Sequence, residues 1–347
     1  MRHASARAKG AVWLAALASA YLAVSPARAE EHSATDSIFT KSQVVEDLYD
    51  AHFVSPERGW VVGVFGAVYH TTDGGRHWNM QATPTIQHLY GVAFADEKRG
   101  WVVGRGGEIL YTEDGGVHWV QQKSGTTKHL FNVAVNGPNS VWAVGDWGVV
   151  VHSSDGGQTW KDRSLDRDLI VYAIDFADEK NGWMAGEMGG ILRTTDGGET
   201  WNVQTSGTEK TFFGVKAVSP EKAWVVGIDG MVVRTTDGGG TWQPQHGEMQ
   251  TQQLEETGFV DLFKNPGLYD IEIVGNHGFV VGDIGTVLVS EDAGETWTDS
   301  PLPAEWRLKW IRGMSILPEG KGMLVGAAGL TFAVDGRKMF FSQEKQG

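Results

Sequence analysis

One eight-residue pattern recurs along the chain and limits its fold more than any other feature. It has the form Ser/Thr-x-Asp-Gly/Ala-Gly-x-x-Trp and occupies residues 71–78, 112–119, 153–160, 194–201, 235–242 and 290–297. The tryptophans of the first five copies are 41 residues apart, and the sixth follows after 55. A degenerate seventh copy is present at Val334-Asp335-Gly336. A fixed period of this length is typical of a solenoid or a propeller.

Each octet is expected to form a hairpin turn held by its own aspartate. An Asp side chain can accept hydrogen bonds from nearby backbone N–H groups, and the glycines adopt positive φ angles at little steric cost. The tryptophan supplies a large apolar wedge for the space between sheets. Because residues that are identical in every repeat serve the repeat, we interpret the octet aspartates as structural rather than catalytic or metal-binding: Asp73, Asp114, Asp155, Asp196, Asp237 and Asp292.

Further signatures share the period and divide each repeat into four short strands. In the second repeat they are an aromatic-led run at 90–94, Gly-Trp-Val-Val-Gly at 100–104, a short run into the octet and a polar run after its tryptophan. Four-stranded units of this length, repeated seven times, predict an all-β fold, a seven-bladed β-propeller of four-stranded antiparallel blades. A linear solenoid competes with it but would need distinct polar caps at both ends.

The propeller is predicted as a single domain over residues 37–343, with blades starting near residues 48, 89, 130, 171, 212, 268 and 310. Two segments compete to complete the last blade. Residues 37–41 precede the first blade by the distance that separates an octet tryptophan from the next blade, and Met339-Phe340-Phe341 follow the last octet. The sequence leaves both alternatives open.

The first 29 residues have the form of a secretory signal rather than of folded structure. Arg2, Arg7 and Lys9 precede an apolar run at 11–24, and an Ala-Arg-Ala cleavage site ends at residue 29, so the mature chain is expected to start at Glu30. Residues 30–36 are expected to be a disordered leader. The chain contains no cysteine, and hence no lipoprotein anchor or disulfide. We therefore predict a protein of the periplasm, or a secreted one.

The charge balance argues against two classes of partner. The formal net charge is −14, and removing the four basic residues of the signal (Arg2, Arg7, Lys9 and Arg28) leaves −18. A strongly acidic chain disfavours nucleic acid and anionic membrane surfaces as partners. The apolar run of the signal is also short for a membrane span, so no direct membrane insertion is expected.

Candidate functional residues are those that differ among the repeats. In a propeller the turns between second and third strands open on the same face as the linkers between blades, with the octets on the opposite side. The predicted partner-binding residues on that face are Phe65, Arg105, Asp146, Trp147, Glu187, Met188, Asp229, Asp283, Trp306, Arg307 and Trp310. Exposed aromatics among polar residues mark contact surfaces. Alternatively, the insertion at 246–266 plugs the channel and the off-pattern tryptophans pack beneath it.

No catalytic residue, metal site or cofactor is predicted. His70, His77, His118 and His152 belong to separate blades and lack ligand spacing. A glycosidase of the sialidase kind would need three converging arginines and a Tyr–Glu pair. Polar and aromatic residues on the channel side of first strands, such as Tyr49 and Asp270, are interpreted as solvated channel lining.

The octet resembles the Asp-box, or BNR repeat, of sialidases and related propellers. Together with Gly-Trp-Val-Val-Gly-x-x-Gly-x-Ile and Leu-Tyr-x-Val-x-Phe, it makes residues 37–342 similar to the photosystem II stability/assembly factor family. The resemblance implies a non-enzymatic lumenal or periplasmic factor that holds a membrane-protein subunit during assembly, with an arginine-rich surface patch. Here the matching turns are mostly acidic and only Arg105 is basic, which leaves the client open. The alternative function is an Asp-box carbohydrate-active enzyme or glycan-binding propeller.

Overall fold

The computed structural model describes residues 44–247, 265–300, 302, 304 and 306–335, and the backbone of 338–340. Over these residues the chain forms seven four-stranded antiparallel sheets, each built from four consecutive strands in chain order. The predicted fold class, a seven-bladed β-propeller, is confirmed. The predicted signal segment, the predicted leader, residues 37–41 and most of the insertion at 246–266 lie outside the described residues, and the predictions on them stay predictions.

The strands of each blade are numbered from the channel outward. The first strands are Leu48–Phe53, Leu89–Phe94, Leu130–Val135, Val171–Phe176, Phe212–Ala217, Leu268–Val274 and Ile311–Ile316. The second strands are Gly59–Gly63, Gly100–Gly104, Val141–Gly145, Gly182–Gly186, Ala223–Gly227, His277–Gly282 and Lys321–Gly326.

The two outer layers are shorter and more polar. The third strands are Val68–Thr71, Glu108–Thr112, Val150–Ser153, Ile191–Thr194, Val232–Thr235, Val287–Ser290 and Thr331–Asp335. The outermost strands are Asn79–Met80, Val120–Lys123, Lys161–Asp162, Asn202–Gln204, Gln243–His246, Thr298–Asp299 and Lys338–Phe340. The fourth strand of the seventh blade is therefore supplied by the C-terminal tail, one of the two segments that the sequence left open.

The disc closes between the seventh and first blades. The Phe53 N–H donates to Ser315 Oγ at 2.9 Å, and the Gly329 N–H donates to the Glu46 carbonyl at 2.8 Å. An apolar cluster of residues from both blades, including Leu48 and Val325, fills the space between them. A linear solenoid has no contact between its ends, so this alternative is excluded.

The apolar core consists of layers between neighbouring blades rather than one central core. Each layer holds buried side chains from two adjacent blades. The largest are the second-strand tryptophans, which are buried: Trp60, Trp101, Trp142, Trp183 and Trp224. In blade six Phe279 takes the same place. The first six blades therefore each insert one large ring into the layer between blades, and in blade seven Met323 takes this place.

The octets form the predicted hairpin turns. In the fourth blade the Gly198 N–H donates to Thr194 Oγ1 at 2.8 Å, and the Thr200 N–H and hydroxyl donate to the two carboxylate oxygens of Asp196 at 2.9 and 2.6 Å. These hydrogen bonds, first among them the one from the Thr200 hydroxyl, lower the pKa of Asp196 to about 2. The Gly197 N–H bonds the Lys180 carbonyl of the first-to-second turn at 2.9 Å, so the octet lies at that end of the blade.

Candidate functional site

The second-to-third turns and the linkers between blades form one face, which we call the turn face. The Gly66 N–H donates to the Gln87 carbonyl of the next linker at 2.7 Å. The Gly148 N–H likewise bonds the Leu169 carbonyl, and the Gly189 N–H the Lys210 carbonyl. The octets bond the first-to-second turns, so they lie on the opposite face. The candidate residues chosen from the sequence therefore belong to one side of the disc.

The middle residue of every turn has a left-handed backbone conformation. The φ angles are 56° at Phe65, 56° at Trp147 and 54° at Met188, and only blade two has a glycine there, Gly106 at 74°. A bulky side chain is unusual at positive φ, and strain of this kind is concentrated at functional sites. Asp229, Ile284 and Ala328 complete the set.

Three of these strained positions present large apolar side chains to solvent. Phe65 and Met188 are each 69% exposed and Trp147 is 59% exposed. Glycine would suit the backbone better, and no burial of the side chain compensates for the strain. The turn face therefore keeps three apolar tips that folding alone does not require, in blades one, three and four.

The acidic turn residues are instead tied to the fold. Glu187 Oε1 accepts from the Ile170 N–H at 2.9 Å, Asp229 pairs with the buried Lys210 ammonium at 3.1 Å, and Asp283 accepts from the Tyr269 hydroxyl at 2.8 Å. Each contact joins a turn to the linker or first strand beside it. Burial raises the pKa of Asp146, with the nearby His129 acting in the opposite sense. Their carboxylates thus fasten the turn face together.

The off-pattern tryptophans of the seventh blade pack rather than project. Trp306 meets Phe332 edge-on at 5.3 Å and lies 4.6 Å from the Lys309 ammonium. Trp310 stacks on Tyr49 at 5.9 Å. Arg307 is exposed and donates to the Leu302 carbonyl. Trp306 and Trp310 therefore pack against the disc, as the alternative predicts of them, whereas a plug formed by the insertion stays a prediction because residues 248–264 lie outside the described residues.

Arg105 is the basic candidate of the turn face. It is exposed, and among the described residues no carboxylate oxygen lies within 4 Å of its guanidinium. It belongs to the blade whose turn carries Gly106, between the tips Phe65 and Trp147 of the neighbouring blades. This part of the turn face therefore combines a free cation with aromatic tips on both sides.

A ring of aromatic side chains lines the channel just below the turn face, which we call the collar. Successive ring centroids are 5.1–5.6 Å apart, and the members are Tyr49, Tyr90, Phe131, Tyr172, Phe213 and Tyr269. Arg312 closes the ring in blade seven, with its guanidinium carbon 4.6 Å from the Tyr269 ring centre and 5.8 Å from that of Tyr49.

A β-bulge in every first strand produces the collar. The pairing between first and second strands shifts at the second residue of the first strand, which is the collar residue, in all seven blades. A bulge bends the strand and redirects a side chain. The sequence shows the aromatic at this place in six repeats, but the pattern alone does not reveal that the bulge turns these rings toward each other.

Below the collar the channel holds charged side chains that burial perturbs. Asp50 accepts from the Val92 N–H of the next blade, and Asp270 accepts from the Met314 N–H, both at 2.9 Å. Lys216 Nζ lies 2.8 Å from Glu272 Oε2. Burial, together with the nearby Glu272 charge, raises the pKa of Asp270 to about 7. Burial also raises the pKa of Asp50, so this lining is more than solvated polar surface.

Replacing Asp270 by Asn is expected to favour stability more at pH 8 than at pH 4. A carboxyl whose pKa is raised on folding opposes folding once it ionises, so its cost appears as the pH rises from about 4 to about 7. Each pKa unit corresponds to about 1.4 kcal/mol, and screening by channel water reduces the expected difference between pH 8 and pH 4 to about 1–2 kcal/mol. The amide oxygen can accept from only one of the Met314 and Ile271 N–H groups that Asp270 accepts from at 2.9 and 2.8 Å, so the substitution also carries a loss that is the same at both pH values.

Urea unfolding at several pH values measures this effect. Glu272, Lys216 and Asp50 are the charged groups around Asp270 in the channel, and they are the same in both proteins. Asp168→Asn, which removes a carboxylate at an exposed position on the turn face, is the matched control for the loss of one negative charge. A stability difference between Asp270→Asn and the parent that is equal at pH 4 and pH 8 would contradict the prediction.

The described residues hold no group of three or more His, Asp or Glu side chains placed to bind a metal ion. They also contain no helix long and apolar enough to cross a bilayer. Arg193 donates to the Pro220 and Gly238 carbonyls, and Arg234 pairs with Glu295, so both arginines serve blade contacts. Among the described contacts, Arg312 is the one arginine close to the Tyr269–Asp283 pair, whereas a sialidase-type site needs three.

The fold defines a seven-bladed β-propeller built from BNR-type repeats. The family model described as photosynthesis system II assembly factor YCF48 matches residues 77–170, 160–251 and 205–308. The chain therefore belongs to this family. A comparison with curated proteins finds no match.

Solved structures support the same fold. YCF48 bound to D1 peptide is 18% identical over 86% of this chain and 95% of that chain, with a TM-score of 0.67. YCF48 from Cyanidioschyzon merolae is 18% identical over 85% and 96%, with a TM-score of 0.65. An ancestral GH74 enzyme is 13% identical over 87% of this chain but only 45% of that chain, with a TM-score of 0.61. At such identities the likeness concerns the fold alone.

Proposed function

We propose that this protein is a non-catalytic assembly or accessory factor that works in the periplasm and binds a membrane-protein complex through its turn face. The observation that carries the proposal is the exposure of Phe65, Trp147 and Met188 at left-handed backbone positions. Exposed large apolar and aromatic side chains are the usual anchors of protein interfaces.

Family membership supports an assembly role, and one solved relative is a YCF48 bound to a D1 peptide. The D1 peptide is a ligand of that YCF48 protein. For this chain we propose only that the partner is a membrane protein. The acidic turn residues, being tied to linkers and first strands, act as supports for the apolar tips. Arg105 and Arg307 are exposed and supply the basic part of the contact surface.

Affinity capture from solubilised membranes tests this function. The double variant Trp147→Ser/Met188→Ser should lose the membrane proteins that the parent protein recovers, measured by quantitative mass spectrometry. The matched control is Met80→Ser/Val120→Ser, because Met80 is 64% exposed and both residues lie on outermost strands away from the turn face. Equal recovery by the two variants would contradict a docking role for the turn face.

The periplasmic location is tested separately. Cleavage before Glu30 predicts that the protein released by osmotic shock has a mass that begins at this residue. Protein that stays in the spheroplast fraction with its first 29 residues intact would contradict the location. The capture experiment does not depend on this result, since it uses purified protein.

The alternative, a glycan-binding or glycan-cleaving propeller, rests on the Tyr269–Asp283 pair beside Arg312. Retaining glycosidases use two acidic groups about 5–5.5 Å apart or a Tyr–acid variant of that arrangement. A glycan array and a hydrolysis screen with the parent protein and Asp283→Asn separate this alternative from the assembly role. Hydrolysis or binding that Asp283→Asn abolishes would favour it.

A further inference from the structure

Blade two departs from the other six at two positions of its turn. Gly106 stands where those blades carry a side chain at positive φ. Two residues further, Glu108 stands where the other blades carry uncharged residues, namely Ala67, Val149, Gly190, Met231, Thr286 and Leu330. Glu108 is therefore not part of the pattern that the repeats share.

An open depression lies at this place, which we call the blade-two notch; blade four has one of similar size, but without a charged residue at the place of Glu108. The notch has a volume of about 500 Å³ and is lined by Gln87, Arg105, Gly106, Glu108 and His129. A Cβ atom added at Gly106 would meet no other atom within 4 Å, so no neighbour fills the space that a side chain occupies in the other blades. The notch is thus a gap in the ring of turn side chains.

The floor of the notch holds a buried carboxylate that is only half satisfied. Glu108 is 8% exposed, and its Oε2 accepts from the Thr85 hydroxyl at 3.3 Å. Its Oε1 is buried and has no hydrogen-bond donor among the described residues. Lys and Arg nitrogens of the described chain also lie more than 4 Å away from it. A buried acceptor without a donor is costly, and more so when it is charged.

The other polar groups of the notch do not compensate for this acceptor. The Gly106 N–H donates to His129 Nδ1 at 3.0 Å, so in the neutral ring the proton is on Nε2. Arg105 is exposed and points its charge to solvent rather than pairing with Glu108. Glu108 Oε1 therefore still lacks a hydrogen-bond donor among the described residues. A donor that fits must carry positive charge and be small enough to reach this buried oxygen.

We propose that the blade-two notch binds an ammonium or guanidinium group, with Glu108 as its counter-ion. Such a group would donate to Glu108 Oε1 and make the charge-assisted hydrogen bond that the fold leaves open. The group can belong to a free amine or to a Lys or Arg side chain of the partner. In the second case the notch is a charge-specific subsite of the turn face, and only this use rests on the proposed function.

The binding is tested on the purified protein alone, without the membrane partner. Amide NMR spectra follow the Gly106 N–H, which lies at the notch, while n-butylammonium or n-butylguanidinium is added. Tetramethylammonium is the control cation, because it has the charge but no N–H donor. Acetyl-Gly-Lys-Gly-amide presents the same ammonium on a peptide and separates the two sources: binding of the peptide alone assigns the notch to a partner side chain, and binding of the free amines too assigns it to small amines.

Two variants act on the notch by different means. Glu108→Gln keeps the shape and the acceptor for Thr85 but removes the charge, and it should weaken binding at least about tenfold. It should not lower the melting temperature, because a buried amide is less costly than a buried charge. Gly106→Met adds at the edge of the notch the residue that blade four carries at the same place, Met188, and should weaken binding by narrowing access with Glu108 intact.

The matched control is Glu187→Gln, which neutralises a turn-face carboxylate that already accepts from the Ile170 N–H. It should bind as the parent protein does. Arg105→Gln should bind at least as well as the parent, since it removes a positive charge that repels a cation at the notch. Equal affinity of the parent and Glu108→Gln, or equal binding of tetramethylammonium and butylammonium, would overturn the proposal. If no cation binds at the notch but the Trp147→Ser/Met188→Ser variant still loses the membrane partner, the notch proposal fails and the proposed function stands.

Discussion

The triple variant Phe65→Gly/Trp147→Gly/Met188→Gly is expected to be more stable than the parent by about 2–3 kcal/mol and to lose its membrane partner. An L-residue in the left-handed region costs about 1–2 kcal/mol of stability, which glycine avoids. Part of this gain is lost because glycine gives the unfolded chain more conformational freedom. The three side chains are exposed, so little packing is lost. Gly106 shows that the turn accepts glycine.

Urea unfolding measures the stability, and affinity capture measures the partner. The triple alanine variant of the same positions is the matched control: alanine removes the apolar tips but keeps the backbone strain, so it should lose the partner without the gain in stability. A glycine variant that is less stable than the parent would show that the tips stabilise the turns. A glycine variant that keeps its partner would remove the apolar tips from the docking surface.

Trp183→Ala is expected to destabilise the protein by about 3–5 kcal/mol, the usual loss for a large buried aromatic. Trp183 is fully buried in the layer between blades four and five, and the Arg193 guanidinium lies 5.3 Å above its ring. Truncation leaves a cavity that the facing strands cannot close without moving a whole blade.

The comparison with Trp147→Ala makes this prediction specific. Trp147 is more than half exposed, and its truncation should cost less than about 1 kcal/mol. Trp183→Phe should lie between the two, because Phe279 occupies the corresponding place in blade six. The stabilities of all three variants are measured as shifts of the urea midpoint. Equal losses for Trp183→Ala and Trp147→Ala would mean that the layers between blades do not carry the stability of the disc.

How much the sequence could predict of the site depends on the range of each contact. The sequence could identify Phe65, Trp147 and Met188 as exposed. Each is the middle residue of a tight turn, two places after a Gly-Trp-Val-Val-Gly-like run, where no neighbouring group buries the side chain. The same reasoning treated Asp229 and Glu187 as contact residues, although Lys210 and the Ile170 N–H engage them. These partners lie in linkers whose approach to the turn depends on the next blade.

The blade-two notch and the collar illustrate what pattern reading overlooks. Glu108 departs from six other repeats, and an alignment of the repeats would have singled it out. That its Oε1 is buried without a donor depends on the packing around it. The collar needs seven bulges and a closed circle, because Arg312 reaches both Tyr269 and Tyr49 only when the last blade meets the first.

The sequence by itself determined the seven repeats, the four strands in each and the octet turns, because these depend on hydrogen bonds and packing within about 40 residues of chain. Only the tertiary structure decided which polar side chains are satisfied, that Trp306 and Trp310 pack against the disc, and which rings meet in the channel. Those properties depend on neighbours in the adjoining blade, and on the contact between the two ends of the chain, which no local pattern encodes.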